Sequence, residues 1–499
     1  MIADPSTGNR LVLRGCDALV APGDLRRDVD VVISGRRVER IEPAGEAGEA
    51  GEAGEAGTGL PGIDASGLLA IPGLVNAHTH SAENCLRGSG HCLPLEVWLT
   101  RMFGTAGPYS PDDHYATARA GAVEMLRSGT TAVLDHLWMT PPTTEAADAV
   151  LRAYRDVGIR AAVAPLVADA DFTAELAAVH GVELAGALFT DLAGAVPPGE
   201  VQALLEDLLG RWHGAAGGRL QVFAGPCGLH WCSDELLERL AATAAAHGTG
   251  LTIHLLETRL QRDIAAAHRG TGAAQALDRL GVLGARTSLA HGVWLDEADI
   301  ALLAERDCVV VHNPAANCRL GSGRAPVPEL LDAGVRVALG ADGASSSDDQ
   351  MVWTQLKLAA LVHNDGERDR WVSGRQALRM ATTGGAAALG LGEELGTLEP
   401  GALADVVLVD RRGAGLAGAQ DLEAALALSA SGRDVVHVLV DGRLVVSHGR
   451  CLTVDEAAAG AALAEQAARR AAGQRESPSV LEAMERMRAL RRAAAGVSA

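Results

Sequence analysis

IPGLVNAHTHSAEN, residues 71–84, carries two histidines, His78 and His80, at the end of an apolar run. Side chains of a strand alternate between its two faces, so residues i and i+2 point the same way. A buried strand that ends in this pair aims two imidazoles at one point, which suits a metal ion. The simpler alternative is a pair of polar residues where a strand leaves the core. Further ligands elsewhere in the chain are needed to support the metal interpretation.

Apolar runs of the same kind recur through the middle of the chain, each followed by an Ala/Leu/Glu/Arg-rich stretch with helical spacing. The eight runs span residues 68–78, 130–136, 159–168, 219–226, 250–257, 286–292, 308–313 and 335–342. Repeated strand-then-helix units predict an α/β fold of the (β/α)8 TIM-barrel type, with its active site at the carboxyl ends of the strands.

Short β patterns flank this middle region on both sides, and they predict a small β-sandwich domain built from both chain ends. Its first part spans residues 1–67 and its second part 396–455, around a barrel at 68–395. The repeat AGEAGEAGEAGEAGTG at 44–59 has little to bury and predicts a mobile surface loop. The tail, 456–499, predicts helices that are solvated or contact another subunit.

Composition excludes several classes of protein. The formal net charge is −20, from 43 Lys and Arg against 63 Asp and Glu, which argues against a nucleic-acid partner. No apolar run approaches the roughly 18–20 uncharged residues needed to cross a bilayer, and we expect no signal peptide. The eight cysteines lack a framework of close pairs, so reduced thiols in a cytoplasmic protein are expected.

Ionisable residues stand at the ends of four of the predicted strands. In chain order they are His78 and His80 on the first run, His254 and Glu257 on the fifth, His291 on the sixth and Asp342 on the eighth. Any one alone is more often a satisfied core residue. Together they offer nitrogen and oxygen ligands, as a catalytic zinc-type site requires. His254 and Glu257 lie three apart, so the strand must break near Leu255 or Leu256 for both to face the site.

Six stretches carry a family pattern: GLVNAHTHSAENCLRG, LPLEVWL, TIHLLE, SLAHGVWLDEADIALLAE, VVHNPAANCRLGSGRAPVPELLDAGVRVALGADGASSSDDQM and GTLEPGALADVVLVD. With them the sequence resembles the amidohydrolase superfamily over nearly its whole length. Within that superfamily it resembles the branch of triazine hydrolases and S-adenosylhomocysteine/methylthioadenosine deaminases. The resemblance implies that the metal ligands are His78, His80, His254 and Asp342.

The resemblance also implies the catalytic roles. Glu257 would be the proton shuttle, His291 would contact the water or substrate, and Asp342 would take a proton as well as bind the metal. A divalent metal lowers the pKa of a bound water from about 15.7 to about 7. Some relatives hold two metals bridged by a strand-4 lysine, but residues 219–226 contain neither Lys nor Glu. One ion is therefore expected, zinc with iron as the alternative.

Tryptophans indicate where a flat substrate would lie. Trp98, Trp138, Trp231 and Trp294 follow predicted strand ends, where indoles would sandwich a heterocycle or simply pack loops. Trp98 is the preferred substrate contact, because the matching Trp of nucleoside-deaminase relatives lies near the base.

Two histidines are further candidate substrate contacts. His136 is expected in a loop near the mouth of the barrel. His230 is a candidate because the relatives' strand-4 Gly-Pro-His is Gly225-Pro226-Cys227 in this chain. After the LPLEVWL stretch, where the relatives carry a Pro-x-Glu that binds ribose hydroxyls, this chain has RMFGTAGPYSPDD, without a Glu. Both departures weaken the case for an adenosine-type substrate.

The predicted function is a metal-dependent hydrolase that releases ammonia from an amino-substituted purine, pyrimidine, pterin or triazine. Hydrolysis of an amide or cyclic amide, and hydrolytic dechlorination, are alternatives on the same site. An alternative of another class is a non-catalytic homologue that binds a small molecule, which has no need for Glu257. We expect a small-molecule substrate as partner, no membrane association, and a homo-oligomer, a dimer or higher.

Overall fold

The computed structural model describes residues 10–46, 60–182, 196–364, 366, 370–473 and 476–496. From residue 47 onward, the predicted surface loop at 44–59 lies outside the described residues. Each of the eight apolar runs contains a strand, and helices follow the strands along the chain. The predicted α/β class is therefore confirmed.

The strands, in chain order, are β1 (Arg10–Ala21), β2 (Asp24–Ser34), β3 (Arg37–Pro43), β4 (Gly62–Asp64), β5 (Leu68–Pro72), β6 (Leu74–Thr79), β7 (Thr130–Trp138), β8 (Arg160–Leu166), β9 (Leu220–Val222), β10 (Leu251–Leu255), β11 (Thr287–His291), β12 (Val309–His312), β13 (Arg336–Leu339), β14 (Val406–Asp410), β15 (Val435–Val440), β16 (Arg443–Ser447) and β17 (Arg450–Cys451). The α-helices span Leu95–Ala106, Pro111–Arg127, Thr144–Val157, Thr173–Val179, Pro198–Trp212, Ala215–Gly218, Asp234–His247, Arg259–Arg269, Ala273–Arg279, Glu297–Glu305, Pro314–Arg319, Val327–Asp332, Val352–Ala359, Gly374–Arg379, Gly385–Ala388, Leu422–Leu428, Glu456–Gly473 and Pro478–Ala494. Short 3₁₀ helices lie at Ser81–Leu86 and Gly432–Asp434, and a π turn lies at Met380–Gly384.

Local sequence signals set several helix ends. Ser110 forms a capping box with Asp113 at the start of Pro111–Arg127, satisfying backbone N–H groups that have no partner inside the helix. Gly158, with φ 89°, ends Thr144–Val157 in the left-handed conformation that glycine adopts without strain. The chain then enters β8 within two residues, so the connection is short.

Two four-stranded parallel sheets form the centre, in the orders β6-β7-β8-β9 and β10-β11-β12-β13. Parallel bridges from Ala224 to Leu251 and from Gly228 to His254 join them at one border. At the other border the backbone N–H of Asp342 donates to the carbonyl of His78 at 2.8 Å. The carboxyl ends of the strands consequently lie at the same edge.

A nine-stranded sheet combines both ends of the chain, in the order β17-β16-β15-β14-β5-β1-β2-β3, with β4 beside β1. The predicted single strand over 68–78 is two strands, because β5 belongs to this sheet and β6 to the parallel one. Gly73 separates them, and a Cβ there would lie 2.0 Å from Thr131 Oγ1. The chain therefore passes from one sheet to the other at Gly73.

The last helix, Pro478–Ala494, is not simply solvated, contrary to the expectation for the tail. Met484, Met487 and Leu490 are buried in one apolar cluster with Trp98 and Leu260. The helix thus packs against Leu95–Ala106 and Arg259–Arg269. Among the described residues, no helix is long and apolar enough to span a membrane.

Candidate active site

His78 lies fully buried near the end of β6. Neither of its ring nitrogens has a hydrogen-bond partner among the described residues, although buried polar atoms normally have one. Burial, and then the neighbouring imidazoles of His80 and His254, lowers the pKa of His78 well below its ordinary value, so the ring is neutral. A buried neutral imidazole with a free lone pair is suited to bind a metal.

His80 and His254 are held in one tautomer by backbone carbonyls. The Nδ1 atom of His80 lies 2.6 Å from the carbonyl oxygen of His136, and that of His254 lies 2.6 Å from the carbonyl oxygen of Cys227. A carbonyl oxygen only accepts, so Nδ1 must carry the hydrogen and Nε2 keeps its lone pair. Metal-binding histidines have this arrangement, with the second nitrogen donating to a fixed acceptor.

Asp342 follows β13 and completes the group. Its Oδ1 lies 3.6 Å from His78 Nε2 and 3.4 Å from His80 Nε2. Its backbone has φ 63°, and its carbonyl accepts from Thr79 Oγ1 and from Gln350 Nε2, each at 2.9 Å. These contacts hold an otherwise unfavourable backbone conformation that directs the carboxylate toward the two histidines.

His291 ends β11, also with a positive φ, 75°. Its Nδ1 donates to Asn317 Oδ1 at 2.9 Å, and its Nε2 lies 3.9 Å from Asp342 Oδ2. Burial lowers the pKa of His291, although the charge of Asp342 opposes this effect. The neutral ring therefore presents the Nε2 lone pair, rather than a hydrogen, toward Asp342.

Ligand atoms of these residues meet in two overlapping sets, His78, His80 and Asp342, and His78, His254 and His291. Within each set the atoms all lie within 4.8 Å of one another. The Nε2 atoms of His80 and His254, 3.3 Å apart, connect the sets. Imidazole nitrogens with a carboxylate suit zinc or ferrous iron. The residues present therefore fit a divalent metal.

Glu257 reaches the site because the strand ends, as predicted, after Leu255. Leu256 has φ 47°, and this turn brings Glu257 to within 3.8 Å of His291, measured from Oε1 to Nδ1. Ser322 Oγ donates to the same Oε1 at 3.0 Å. Burial, with a further contribution from the charge of Asp342, raises the pKa of Glu257 to about 8.

A largely apolar cavity adjoins these groups. Trp98 and His230, the predicted substrate contacts, both line it, together with Trp138 and Trp231. Trp294 does not, and its indole N–H donates to a backbone carbonyl at 2.8 Å. The other apolar residues of the wall are Leu95, Leu99, Met102, Phe103, Leu166 and Leu320. Among the described residues that line the cavity, none is Lys or Arg.

His136 is placed differently from the expectation that it contacts substrate. It lies inside β7 rather than in a loop, is fully buried, and is absent from the cavity wall. Its ring stacks on His254 with centroids 4.8 Å apart, and its Nε2 donates to the carbonyl of Gly225 at 3.0 Å. It therefore packs against His254 on the side away from the cavity.

Glu83 is a cavity residue that the sequence analysis missed. It lies in the 3₁₀ turn after His80, and its Oε2 accepts from Ser345 Oγ at 2.7 Å. Burial raises the pKa of Glu83 to about 7, with His80 lowering and Asp342 further raising it. The sequence feature that could have revealed it is a carboxyl three residues after His80, in a stretch without other acidic or basic side chains.

Comparisons with known proteins agree with this geometry. The Amidohydrolase family model matches residues 69–445. A 5-methylthioadenosine/S-adenosylhomocysteine deaminase of Moorella thermoacetica is 37% identical over 395 residues, 79% of this chain and 85% of that protein. A 5'-deoxyadenosine deaminase of Methanosarcina mazei is 34% identical over 396 residues, 79% of this chain and 84% of that protein.

Similar solved structures belong to proteins of related activity. An atrazine chlorohydrolase of Arthrobacter aurescens complexed with zinc has a TM-score of 0.80 at 28% identity, covering 92% of this chain and 100% of that chain. An adenosine deaminase of Xanthomonas campestris with bound zinc has a TM-score of 0.78 at 26% identity, covering 93% and 98%. The resemblance predicted from the strand-end residues is confirmed, and the chain belongs to the amidohydrolase family.

Proposed function

We propose that the chain is a metal-dependent aminohydrolase that releases ammonia from an amino-substituted N-heterocycle of purine, pyrimidine, pterin or triazine type. The observation that carries this proposal is the position of Glu257, an enclosed carboxyl beside the imidazoles and facing the same cavity. A protein that only bound a small molecule would not need a buried proton carrier there. The deaminases among the relatives support the same reaction.

One divalent ion is proposed, zinc with iron as the alternative, and the zinc-bound structural neighbours support this choice. The residues that would hold it are His78, His80, His254 and Asp342. When bound, such an ion lowers the pKa of a coordinated water to about 7. Residues 219–226 carry neither Lys nor Glu to bridge a second ion. Burial raises the pKa of the Cys227 thiol well above its ordinary value, so it stays protonated.

The chain's own residues divide the proton transfers. Asp342 takes a proton from the attacking water, and the neutral His291 orients that water by accepting a hydrogen bond at Nε2. Glu257 retains its proton at neutral pH because its pKa is about 8. It protonates the ring nitrogen beside the carbon under attack, then takes up the hydroxyl proton of the adduct and passes that proton to the departing amine, which leaves as ammonia. The proton held by Asp342 then restores the protonated form of Glu257.

The cavity wall supports a flat substrate without a negative charge. The indoles of Trp98, Trp138 and Trp231 offer faces on which a heteroaromatic ring stacks. The absence of Lys and Arg from the wall disfavours a phosphate or carboxylate on the ligand. His230, whose pKa burial lowers to about 3, is a neutral hydrogen-bonding group in this wall.

Hydrolytic removal of chloride is a second candidate. The likeness to an atrazine chlorohydrolase, which extends over 92% of this chain, favours it. The same ligands and the same cavity would serve, but chloride needs no proton to leave.

The finer architecture is part of the proposal. Hydrogen bonds at both borders of the parallel sheets support closure into a (β/α)8 barrel. So does a single apolar cluster whose strand residues include Val75, Ala132, Ala162, Val309 and Ala338. We place this barrel at 73–395 and the small β-sandwich domain in the flanking segments up to residue 455. A cytoplasmic homo-oligomer remains our expectation.

Metal analysis and an ammonia-release assay on the same preparation test the function. We expect about one zinc per chain, and turnover on at least one aminopurine, aminopyrimidine, aminopterin or aminotriazine. Chelation should abolish the activity and zinc should restore it. A protein without metal, or a zinc-loaded one that releases no ammonia from any of the four classes, overturns the proposal. Chloride release from atrazine would favour the second candidate.

A further inference from the structure

Glu83 is a buried carboxyl that the proposed reaction does not use. It is 2% exposed and comes from the turn after β6, whereas Glu257 reaches the same cavity from the end of β10. Burying a carboxyl is unfavourable unless other groups compensate. Its surroundings therefore indicate what the residue is for.

One oxygen of Glu83 is fixed by the protein. Oε2 accepts from both Oγ and the backbone N–H of Ser345, at 2.7 and 3.2 Å. Gly343 leaves the space for the Glu83 carboxyl group, because a Cβ at residue 343 would lie 1.9 Å from Oε2 and 2.2 Å from Cδ of Glu83. Any side chain at 343 would displace the carboxyl. The loop after β13 thus supplies both the donors and the room for Glu83.

The other oxygen has no such partner. No described residue donates a hydrogen bond to Oε1. This oxygen is not one of the fully buried side-chain atoms that lack a partner, so it remains accessible. Glu83 lines the cavity, so Oε1 is the atom it offers there. The nearby walls, Trp98 and Met102, are largely apolar, and neither donates a hydrogen bond to Oε1. An open acceptor in such a wall favours a ligand that brings its own donor.

We propose that Glu83 is a specificity-determining residue, whose Oε1 accepts a hydrogen bond from an N–H on the edge of the substrate heterocycle other than the departing amine. The assignment rests on the proposed aminohydrolase function and narrows its substrate class. The preferred substrate is a flat heterocycle, neutral or cationic, with an N–H at that edge. A heterocycle methylated at the same nitrogen is disfavoured.

Glu83→Gln tests the assignment by reversing one hydrogen bond. Ser345 donates twice to the Oε2 position, so the amide oxygen takes that place and the NH2 group faces the cavity. The cavity-facing atom changes from acceptor to donor at nearly constant volume. Glu238→Gln, at an exposed position of the helix Asp234–His247, is the matched control.

The measurement uses zinc-loaded protein and three pairs that differ by one ring N–H: guanine and 1-methylguanine, adenine and 9-methyladenine, cytosine and 1-methylcytosine. For the N–H member of the pair turned over fastest, we expect kcat/KM of Glu83→Gln to fall about 10- to 100-fold, mainly through KM. The methylated member should lose much less. Zinc content should equal that of the wild type and of Glu238→Gln.

Three results would overturn the assignment. The first is an unchanged KM in Glu83→Gln with normal zinc and turnover, which leaves the aminohydrolase function standing. The second is an equal loss on both members of each pair. The third applies if none of these bases is turned over: calorimetric binding then replaces kinetics, and equal or absent binding by wild type and variant refutes the role of Glu83. Ammonia release from the aminopterins and aminotriazines separately decides the proposed function. If Glu83→Gln fails to fold, Ser345→Ala, which releases Oε2, should raise KM with kcat retained.

Discussion

Replacing Glu257 by glutamine removes the transferable proton of the carboxyl group and leaves the shape of the side chain nearly unchanged. Glu257 Oε1 accepts from Ser322 Oγ at 3.0 Å, and an amide oxygen accepts the same hydrogen bond. The side-chain volume is kept, and the four proposed ligands are untouched. We therefore expect Glu257→Gln to fold, to retain its metal and to bind substrate with a similar KM, while losing turnover.

The size of the loss follows from the role of the carboxyl. A positioned acid or base contributes about 10²–10⁴ in rate, which is about 2.7–5.5 kcal/mol at roughly 1.36 kcal/mol per factor of ten. Glu257 is 4% exposed, so bulk water has little access to replace it as a proton donor. We expect the upper half of that range, a fall in kcat of about 10³–10⁴.

The pH profile gives an independent check. Burial, and then the charge of Asp342, raises the pKa of Glu257 to about 8. The protonated form is present below that pH and is lost above it. The kcat/KM of the wild type should therefore fall about tenfold per pH unit on the alkaline side. This limb should be absent from Glu257→Gln, measured by ammonia release with zinc content determined at each pH.

Two outcomes would refute the reasoning. A variant that keeps its zinc but loses less than about tenfold in kcat would show that Glu257 is not the proton carrier. A variant that loses its zinc would show that Glu257 is a ligand. Glu238→Gln again serves as the control for a surface substitution of the same type.

Three further substitutions test the ligands and the packing around them. His78→Ala should lower bound zinc at least about tenfold after dialysis, with an unchanged circular dichroism spectrum, and full retention of zinc would contradict its role. Asp405 pairs with the buried Arg160 at 2.9 Å, and Asp405→Ala leaves Arg160 only the longer contact to Asp441, at 3.2 Å. This substitution should lower the free energy of unfolding in urea by about 3 kcal/mol. Met487→Ala opens a cavity under the helix Leu95–Ala106, so it should lower stability by about 2–5 kcal/mol and raise KM, and an unchanged KM would separate this helix from the substrate site.

That the proposed ligands lie close together was predictable because parallel strands end at a common edge. A residue directly after an apolar run is brought near the residues that follow the other runs, whatever their separation in sequence. His78, His254 and Asp342 follow runs on three different strands and meet for this reason. The turn at Leu256 was predictable too, since only a break in the strand lets His254 and Glu257 face the same way.

Strand ends themselves were less predictable, and His136 shows the consequence. The apolar run suggests an end at residue 136, but β7 continues to Trp138. His136 therefore lies within the strand, where its ring stacks behind His254 and does not enter the cavity. The break at Gly73 was also hidden inside one apolar run, although Pro72 and Gly73 are residues that typically interrupt a strand.

Contacts between distant parts of the chain could not be predicted from the sequence pattern. Met484, Met487 and Leu490 recur every three residues, which indicates an apolar helix face but not the surface that covers it. In the structure this face packs on the helix Leu95–Ala106, whose Trp98 lines the cavity. The proposed metal ligands are positioned by strand ends and backbone carbonyls, whereas the cavity wall is supported by a helix from the far end of the chain. Substitutions in that helix should therefore change which heterocycle is accepted while leaving the bound metal unchanged.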